Sequence, residues 1–358
     1  MLSRASLLSA IDAVLADPQA AQDGLHQHAA KRLHEAGWLS DGGRRGLVIG
    51  LDLGGTKLLG AIGDASGAVL AEGTAATDSA SAESALDQMT AMVADLLGRI
   101  GAQASQVAHI VVGVPGVVAA DGSVRLSPHV PFPAGVSLSG ALAEATGLPV
   151  FADNDVNIAA FGEYAARGSE TGMLAFVALG TGIGMGLVVN GRILRGVGGA
   201  AGEIGTLPFG ADPLAALADH PGGAFEAAVS TGGILARYGT AAGDAGTVRD
   251  IFERAEAGDA TARTVIDASL RDLATGLGAV VALLDPGLIV LGGGIGARPG
   301  VAEAVGNWLA RLVPTRCTVV RSQLGERAGL LGALAQARSL AREALADAAG
   351  EAGQGAAT

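Results

Sequence analysis

The stretch Leu47-Val48-Ile49-Gly50-Leu51-Asp52-Leu53-Gly54-Gly55-Thr56-Lys57 determines how this chain folds. Its first part is an apolar run that predicts a buried strand. The strand ends in a carboxylate, which is followed by two glycines, a hydroxyl and a cation. Glycines at such a turn let backbone N–H groups approach phosphate oxygens without a Cβ atom in the way. The carboxylate of Asp52 has no hydrogen to donate to a phosphate, so we expect it to bind a cation, a hydrated Mg²⁺ ion.

A second turn of this kind lies in the other half of the sequence. An apolar run from Met173 to Leu179 leads into Gly180-Thr181-Gly182-Ile183-Gly184. Neither turn has the Gly-x-x-x-x-Gly-Lys-Ser/Thr spacing of a P-loop, and either one alone is weak evidence for a ligand. Together they predict two facing loops that hold the polyphosphate of a nucleotide.

The overall composition limits the class of protein. The 358 residues are enough for two domains, and the net charge of −12 argues against generalised binding to nucleic acid or to anionic membranes. No stretch reaches the ~18 apolar residues of a membrane-spanning helix, and no basic cluster marks a signal peptide, so we expect a cytoplasmic protein. Cys317 is the only cysteine, which excludes an internal disulfide and a cysteine-rich zinc site. Its apolar neighbours predict a buried, unreactive thiol.

The predicted elements repeat along the chain. A strand meander, a helix, a strand, a helix and a further strand follow one another, and this order returns in the second half. It predicts an α/β fold with two domains and a ligand cleft between them. The expected division is a helical extension over 1–45, a small α/β domain over 46–153, a large α/β domain over 154–348, and a disordered tail over 349–358. We expect the last helix, from Gly329 to about Ala348, either to stay with the large domain or to pack back on the small one.

The extension itself predicts two helices, the second over residues 19–36. Three histidines in that segment, His26, His28 and His34, invite a metal-site interpretation. No cysteine or carboxylate cluster completes such a site, so the preferred interpretation is that they face solvent on a polar helix.

The stretch Asp153-Asn154-Asp155-Val156-Asn157 follows a predicted buried strand and begins a helix. One interpretation is a helix cap, because Asp and Asn are favoured at helix starts and capping requires nothing else. The other is that Asp155 is a general base that takes a proton from an attacking hydroxyl. The residues alone favour the cap. The number of acidic and amide side chains nevertheless exceeds what a cap requires, and a sugar would use such groups.

Two further carboxylates are candidate acceptors for sugar hydroxyls. Glu203 lies in the glycine-rich turn Gly198–Gly205, and its plainer interpretation is a solvated loop charge. Glu226 lies just after Ala224-Phe225, where an acid in the first turn of a helix is ordinary. Taken singly, the plainer interpretation is favoured for each.

These motifs occur in the order of a known family. From about Gly46 to Glu343 the chain resembles the ROK proteins, a family of sugar kinases and sugar-responsive repressors. The matching motifs are Asp52-Leu-Gly-Gly-Thr-Lys57, Gly113-Val-Pro-Gly116, Asn154-Asp-Val-Asn157, Leu179-Gly-Thr-Gly-Ile-Gly184, Gly202-Glu-Ile-Gly205, Ile289-Val-Leu-Gly-Gly-Gly294 and Leu324-Gly-Glu-Arg-Ala-Gly329. The resemblance implies a two-domain actin-like (ribonuclease-H-type) ATPase fold with an interdomain cleft, preceded in this chain by a short N-terminal helical extension.

The resemblance also implies a role for each matching residue. Asp155 becomes the catalytic base, which overturns the preference for a cap, and Asp52 would hold Mg²⁺ through water. The residues implied to bind the nucleotide are Asp52, Gly54, Gly55, Thr56, Lys57, Gly180, Thr181, Gly182, Gly292, Gly293 and Gly294. The residues implied to bind the sugar are Gly116, Asn154, Asp155, Glu203, Thr206 and Glu226.

The chain departs from the family pattern at the sugar side. The histidine that usually follows Gly-Glu-Ile-Gly, and that ligates a structural zinc, is replaced by Thr206. The zinc cysteines expected between residues 207 and 225 are missing, and His220 alone cannot hold the metal, so we expect no zinc. A further difference is Ser127-Pro128-His129, where the family more often places an asparagine. These changes predict an altered sugar specificity.

Three functions follow from the resemblance. The first is an ATP- and Mg²⁺-dependent kinase that phosphorylates a hydroxyl, expected to be O6, of a hexose or N-acylhexosamine. The second is a sugar-responsive repressor, which needs a DNA-reading module of ~60 residues with a basic face. The third is a sugar sensor without catalysis. Residues 1–45 hold as many acidic as basic residues. The retained phosphate loops favour a zinc-free kinase, which we expect to be a homodimer without nucleic-acid or membrane partners.

Overall fold

The structure is a computed structural model. It describes residues 3–16, 23–35, 38–40, 43–44, 46–125, 132, 135–168, 172–243 and 246–354. Within these residues, no helix has the length and apolar character needed to cross a membrane. The chain folds into two compact units, the first made of Met1–Ile158 with Gly329–Thr358, and the second of Ala159–Ala328.

Helices and strands alternate along both units. Those up to the end of the first sheet are α1 (Arg4–Ala16), α2 (Gly24–Glu35), β1 (Leu39–Ser40), β2 (Gly43–Arg44), β3 (Leu47–Leu53), β4 (Lys57–Asp64), β5 (Val69–Ala76), α3 (Ala82–Ile100), β6 (Val107–Val114), β7 (Val117–Val118), β8 (Val124–Arg125), α4 (Leu138–Thr146) and β9 (Val150–Asn154). The remaining elements are α5 (Asp155–Arg167), β10 (Met173–Leu179), β11 (Ile183–Val189), β12 (Arg192–Ile193), α6 (Pro213–Asp219), α7 (Ala224–Val229), α8 (Thr231–Ala242), α9 (Val248–Glu256), α10 (Ala260–Leu284), β13 (Leu288–Gly292), α11 (Gly293–Gly296), α12 (Val301–Leu312), β14 (Thr318–Arg321) and α13 (Ala328–Gln354).

Each unit contains a five-stranded sheet of the same topology. The strand order is β5-β4-β3-β6-β9 in the first unit and β12-β11-β10-β13-β14 in the second. Within each sheet, the three strands that come first in the sequence pair antiparallel to one another. The two later strands add in parallel on the other side of the first one. This duplicated arrangement confirms the prediction of an α/β actin-like (ribonuclease-H-type) fold.

Strand β3 is buried on both faces, which explains its nearly continuous apolar sequence. Helix α13 crosses the strand at Gly50, where an added Cβ atom would lie 2.8 Å from the backbone nitrogen of Leu334 and 3.1 Å from the carbonyl oxygen of Leu330. Only glycine permits this close approach. At its other end, α13 faces the extension through ion pairs between Arg4 and Asp347 and between Arg342 and Asp12.

The N-terminal extension packs through an apolar stripe on α1, in which Leu7, Ile11, Val14 and Leu15 are buried. The second predicted helix is present as Gly24–Glu35, and the predicted residues 19–22 and 36 lie outside the described residues. It begins at Gly24, because the carboxylate of Asp23 accepts the N–H groups of Leu25 and His26 and so caps the helix there.

Of the two placements expected for the last helix, the unit boundaries correspond to packing with the small domain, and the rest of the predicted domain division stays a prediction. Helix α13 groups with the first unit. It also continues to Gln354, through residues where a disordered tail was expected from 349, because the alanine-rich run before this segment propagates the helix past Gly350 and Gly353. Residues 355–358 lie outside the described residues.

Candidate active site

The first unit places the carboxylates of Asp52 and Asp155 at the same edge of its sheet. Asp52 on β3 pairs with Gly113 on β6, and Gly113 pairs with Asp153 on β9, so the carboxyl ends of three parallel strands meet there. A Cβ atom added at Gly113 would lie 3.7 Å from Oδ1 of Asp52 and 3.5 Å from the Cα atom of Asp155. The missing side chain at position 113 therefore leaves room between the two acids.

The start of α5 shows which residue caps the helix. The Oδ1 atom of Asn154 accepts the N–H groups of Val156 (2.9 Å) and Asn157 (3.1 Å), and its amide donates to the carbonyl oxygen of Gly116 (3.0 Å). Asn154 is therefore the cap, and Asp155 is the first helical residue. Asn and Asp have similar preferences for the cap position, so the sequence alone could not show which of these two adjacent residues caps α5. The cap interpretation is correct for Asn154. The Oδ1 atom of Asp155 also accepts the N–H of Val156 (2.8 Å), so Asp155 takes part in the start of the helix, and its chemical role stays a proposal.

The surroundings of Asp52 disfavour the charged form of its carboxylate. Burial, and second the charge of Asp155, raise the pKa of Asp52 to about 7. The first turn of α13 adds to the crowding, since a side chain at Gly329 would collide with the carboxylate of Asp52. Two adjacent carboxylates with little solvation are a donor set that suits a hydrated divalent cation, so these residues fit Mg²⁺.

The turn between β3 and β4 is held by its backbone. The N–H of Gly54 donates to the carbonyl oxygen of Lys57 (2.9 Å), and Gly55, Thr56 and Lys57 are exposed. Thr77 secures the turn from outside, because its hydroxyl donates to the carbonyl oxygen of Gly54 (2.7 Å) and its N–H to that of Thr56 (3.0 Å). Thr77 was not among the predicted site residues, since a threonine after a strand is unremarkable in sequence.

In the second unit, two of the predicted nucleotide loops lie side by side. A Cβ atom added at Gly180 would be 3.6 Å from the backbone nitrogen of Gly294. Gly293 has φ +77° and follows directly on β13, and a side chain there would meet the carbonyl of Leu179. Thr231 fixes the first loop, because both its N–H (2.9 Å) and its hydroxyl (2.8 Å) donate to the carbonyl oxygen of Gly180. Thr231 was also missed from the sequence.

Glu226 joins the same loop from α7. Its Oε2 atom accepts the N–H of Ile183 at 3.0 Å, and its Oε1 atom lies 3.8 Å from Nδ1 of His220. Side chains at Gly182 or Gly222 would collide with this carboxylate. Glu226 therefore makes specific contacts that an ordinary first-turn acid would not make.

Glu203 and Thr206 form a short turn beside Glu226. The hydroxyl of Thr206 donates to the carbonyl oxygen of Glu203 (2.8 Å), and both residues are exposed. A Cβ atom added at Gly205, between them, would lie 3.4 Å from Cβ of Glu226. The second unit thus gathers Thr181, Gly182, Glu203, Thr206 and Glu226, together with the Gly292–Gly294 turn, in one region.

The other candidate groups have simple surroundings. Among the described residues, no three His, Cys, Asp or Glu side chains form a group that could hold a metal ion, and the expected lack of zinc stays a prediction. His26 pairs with Asp23 at 2.8 Å. Cys317 is partly exposed, so the predicted full burial is wrong, although burial, and second Asp285, raise its pKa to about 11, in keeping with an unreactive thiol. The stretch Ser127-Pro128-His129 lies outside the described residues.

Comparison with known families identifies the family to which this chain belongs. The family profile described as "ROK family" matches residues 48–339. This chain belongs to the ROK family. The match starts just before Asp52 and ends within α13, so the N-terminal extension precedes the part of the chain shared with the ROK family.

Two curated ROK relatives are similar to this chain. A bifunctional enzyme NanE/NanK of Brucella melitensis is 32% identical over 320 residues, which cover 84% of this chain and 56% of the relative. The chain thus spans little more than half the length of that protein. An N-acetylmannosamine kinase of Escherichia coli is 33% identical over 304 residues, which cover 82% of this chain and 99% of the relative.

Solved ROK structures share the fold. A ROK hexokinase from Thermus thermophilus has a TM-score of 0.70 at 31% identity, covering 81% of this chain and 97% of its own. A ROK glucokinase from Streptomyces griseus, in complex with glucose and AMPPNP, has a TM-score of 0.66 at 27% identity, covering 82% and 100%. A ROK transcriptional regulator, a homologue of the E. coli MLC protein, has a TM-score of 0.79 at 20% identity, covering 96% and 98%. At that identity the likeness to the regulator shows the fold alone.

Proposed function

We propose that this ROK protein is a kinase that transfers a phosphoryl group from ATP to a hydroxyl of a hexose or N-acylhexosamine. The observation that carries the proposal is the pair of acids at the edge of the first sheet, where Asp155, next to the capping residue Asn154, lies close enough to Asp52 for its charge to help raise the pKa of Asp52. Support comes from the relatives, among them an N-acetylmannosamine kinase, and from the glucokinase structure that holds glucose and an ATP analogue.

In the proposed reaction, the carboxylate of Asp155 accepts the proton of the attacking sugar hydroxyl, expected to be O6. Deprotonation raises the nucleophilicity of the oxygen, which then attacks the γ-phosphorus in line and displaces ADP. A positioned base of this kind contributes on the order of 10²–10⁴ in rate.

The remaining assignments concern the substrates. Asn154, Glu203, Thr206 and Glu226 offer acceptors and donors for sugar hydroxyls, and Gly116 is kept close to Asn154 by the hydrogen bond between them. The proposed nucleotide contacts are the N–H groups of the turn at Gly54–Lys57 in the first unit and those of the turns at Gly180–Gly182 and Gly292–Gly294 in the second. Asp52 would hold Mg²⁺ through water, and the ion would neutralise charge on the transferring phosphate.

The test is ADP release over a panel of hexoses, amino sugars and polyols with MgATP, using the wild type and Asp155→Asn. We expect turnover on at least one sugar and a loss of about 10²–10⁴ in kcat for the variant. An unaltered melting temperature of Asp155→Asn would show that the loss is chemical, since Asn154 keeps the cap. No turnover on any sugar, with sugar-dependent thermal stabilisation, would contradict the kinase and support the sensor or regulator alternative.

A further inference from the structure

The turn Asp219-His220-Pro221-Gly222-Gly223 brings an imidazole to Glu226. His220 ends α6, since its N–H donates to the carbonyl oxygen of Ala216 (2.9 Å), and Gly223 closes the turn by donating to the carbonyl oxygen of His220 (2.9 Å). The Nδ1 atom of His220 is buried and lies 3.8 Å from Oε1 of Glu226. Within the described part of the chain, this nitrogen makes no hydrogen bond.

The carboxylate of Glu226 is placed by contacts on several sides. One oxygen accepts the N–H of Ile183, the residue directly after the Gly180–Gly182 loop. The carboxylate lies in the space that a Cβ atom at Gly182 or Gly222 would occupy, so both glycines leave room for it. Phe225, the residue before Glu226, is fully buried, and its ring fills the space that a side chain at Gly276 would take. Oε2 of Glu226 is therefore held by the N–H of Ile183, while Oε1 is the oxygen that faces His220.

We propose that His220 is a positioning residue that holds Glu226 and, through it, the Gly180–Gly182 loop. When substrates bind, Nδ1–H of His220 donates to Oε1 of Glu226, and the 3.8 Å separation closes to a hydrogen bond. Oε2 then stays on the N–H of Ile183 and keeps the loop in the shape that accepts the phosphates. This inference rests on the proposed kinase function for its kinetic consequence but not for the contact itself.

Two substitutions of His220 distinguish the Nδ1 donor from the rest of the side chain. His220→Asn places an amide N–H close to the position of Nδ1, whereas His220→Ala removes the donor. We expect His220→Ala to raise KM for MgATP about 3- to 10-fold with kcat changed less than about 2-fold, the effect of one lost hydrogen bond on binding. His220→Asn should restore most of the affinity. His26→Ala, which removes a histidine on α2 in the other unit, is the matched control and should behave as wild type.

Hydrogen exchange gives a second measure that does not depend on turnover. With AMPPNP and Mg²⁺ bound, the peptide that contains residues 180–184 should exchange faster in His220→Ala than in wild type or His220→Asn, because the amide of Ile183 loses its fixed acceptor. The melting temperature of each variant shows whether it is folded. If His220→Ala does not fold, His220→Leu, which also lacks the donor but keeps more of the side-chain volume, takes its place in both measurements.

The outcomes separate the two proposals. If the wild type phosphorylates no sugar, the kinase function fails, and the exchange data alone judge the role of His220. If the wild type is active but His220→Ala leaves both KM and exchange unchanged, the role of His220 is wrong. It is equally wrong if His220→Asn is as impaired as His220→Ala, since that would point to side-chain volume and not to the Nδ1 donor.

Discussion

Among single residues, Asn154 and Asp155 divide two tasks that their sequence left together. Asn154 satisfies the first free N–H groups of α5 and reaches back to Gly116. Asp155 lies next to Asp52, a second acid whose presence a cap does not explain. Neighbouring side chains at a helix start thus serve different purposes, one structural and one that we propose to be chemical.

This division predicts different effects for two cap variants. Asn154→Ala removes the cap of α5 and should lower the free energy of unfolding by about 1–2 kcal/mol, measured by urea unfolding. It should also reduce sugar turnover, because Asp155 loses its neighbouring support.

Ser81→Ala is the matched control. Ser81 caps α3 by accepting the N–H of Ser84 at 3.0 Å. Its loss should cost a similar free energy of unfolding, about 1 kcal/mol, while turnover per folded molecule stays at the wild-type level. Equal activities in both cap variants would contradict a special role for the start of α5.

Asp52 predicts an unusual dependence of stability on pH. Its pKa is raised from 3.8 to about 7, mainly by burial and then by Asp155. Between these pH values the folded protein keeps a proton that the unfolded chain has lost, so this group destabilises the fold as pH rises through that window. Asp52→Asn carries no charge. Without Mg²⁺ we therefore expect it to melt above wild type at pH 8 and close to wild type at pH 4, although its kinase activity is lost.

Asp121, an exposed aspartate, serves for comparison because its pKa is shifted in the opposite direction. Hydrogen bonds from the hydroxyl and then the N–H of Ser123 lower the pKa of Asp121, so its charged form favours the folded state. Asp121→Asn should not raise the melting temperature at pH 8. Thermal unfolding of both variants at the two pH values is the measurement. A melting temperature of Asp52→Asn at or below that of wild type at pH 8 would refute the destabilising role of the Asp52 charge.

Among the helices and strands, α13 connects several parts of the first unit. Its first turn abuts Asp52, its middle crosses β3 at Gly50, and its later turns face α1 through Arg342 and Asp12. The sequence showed this helix but not its neighbours. No local pattern states that a C-terminal helix lies on the first strand of the sheet, and only the glycine inside an apolar strand hinted at a close backbone approach.

The crossing predicts contrasting results for two glycine-to-alanine substitutions. Gly50→Ala places a Cβ atom against the backbone of α13, which cannot move aside as a flexible side chain would. It should lower the free energy of unfolding by about 1–3 kcal/mol or more. Gly98→Ala, on an exposed helix position of α3 with open space around it, should raise the free energy of unfolding by about 0.5–1 kcal/mol. Urea unfolding decides, and a neutral Gly50→Ala would contradict the observed packing.

Across the whole molecule, the repeat of strands and helices was readable because buried strands, glycine turns and amphipathic helices have distinct periodicities. That repeat, with the ordered family motifs, predicted both the fold and the ROK membership. Contacts between residues far apart in the chain could not be predicted from the sequence. The hydroxyls of Thr77 and Thr231 bond carbonyl groups far away in sequence, and the contact that we propose for His220 depends on how its loop folds.

Some expectations for the whole molecule stay predictions. They include the homodimer, the lack of zinc, and the sugar specificity that the replacement of a histidine by Thr206 would alter. For residues 1–45, the contacts of α1 with α13 indicate a structural attachment to the first unit.

Identification of the reaction product is the decisive experiment for the proposed kinase. The protein is incubated with MgATP and the sugar selected from the panel, and the product is analysed by two-dimensional ¹H–³¹P NMR. We expect one new phosphate ester on the sugar, at O6, formed in equal amount to ADP and absent with Asp155→Asn. Release of inorganic phosphate with the sugar unmodified, or no consumption of ATP with any sugar, would contradict sugar phosphorylation by this protein.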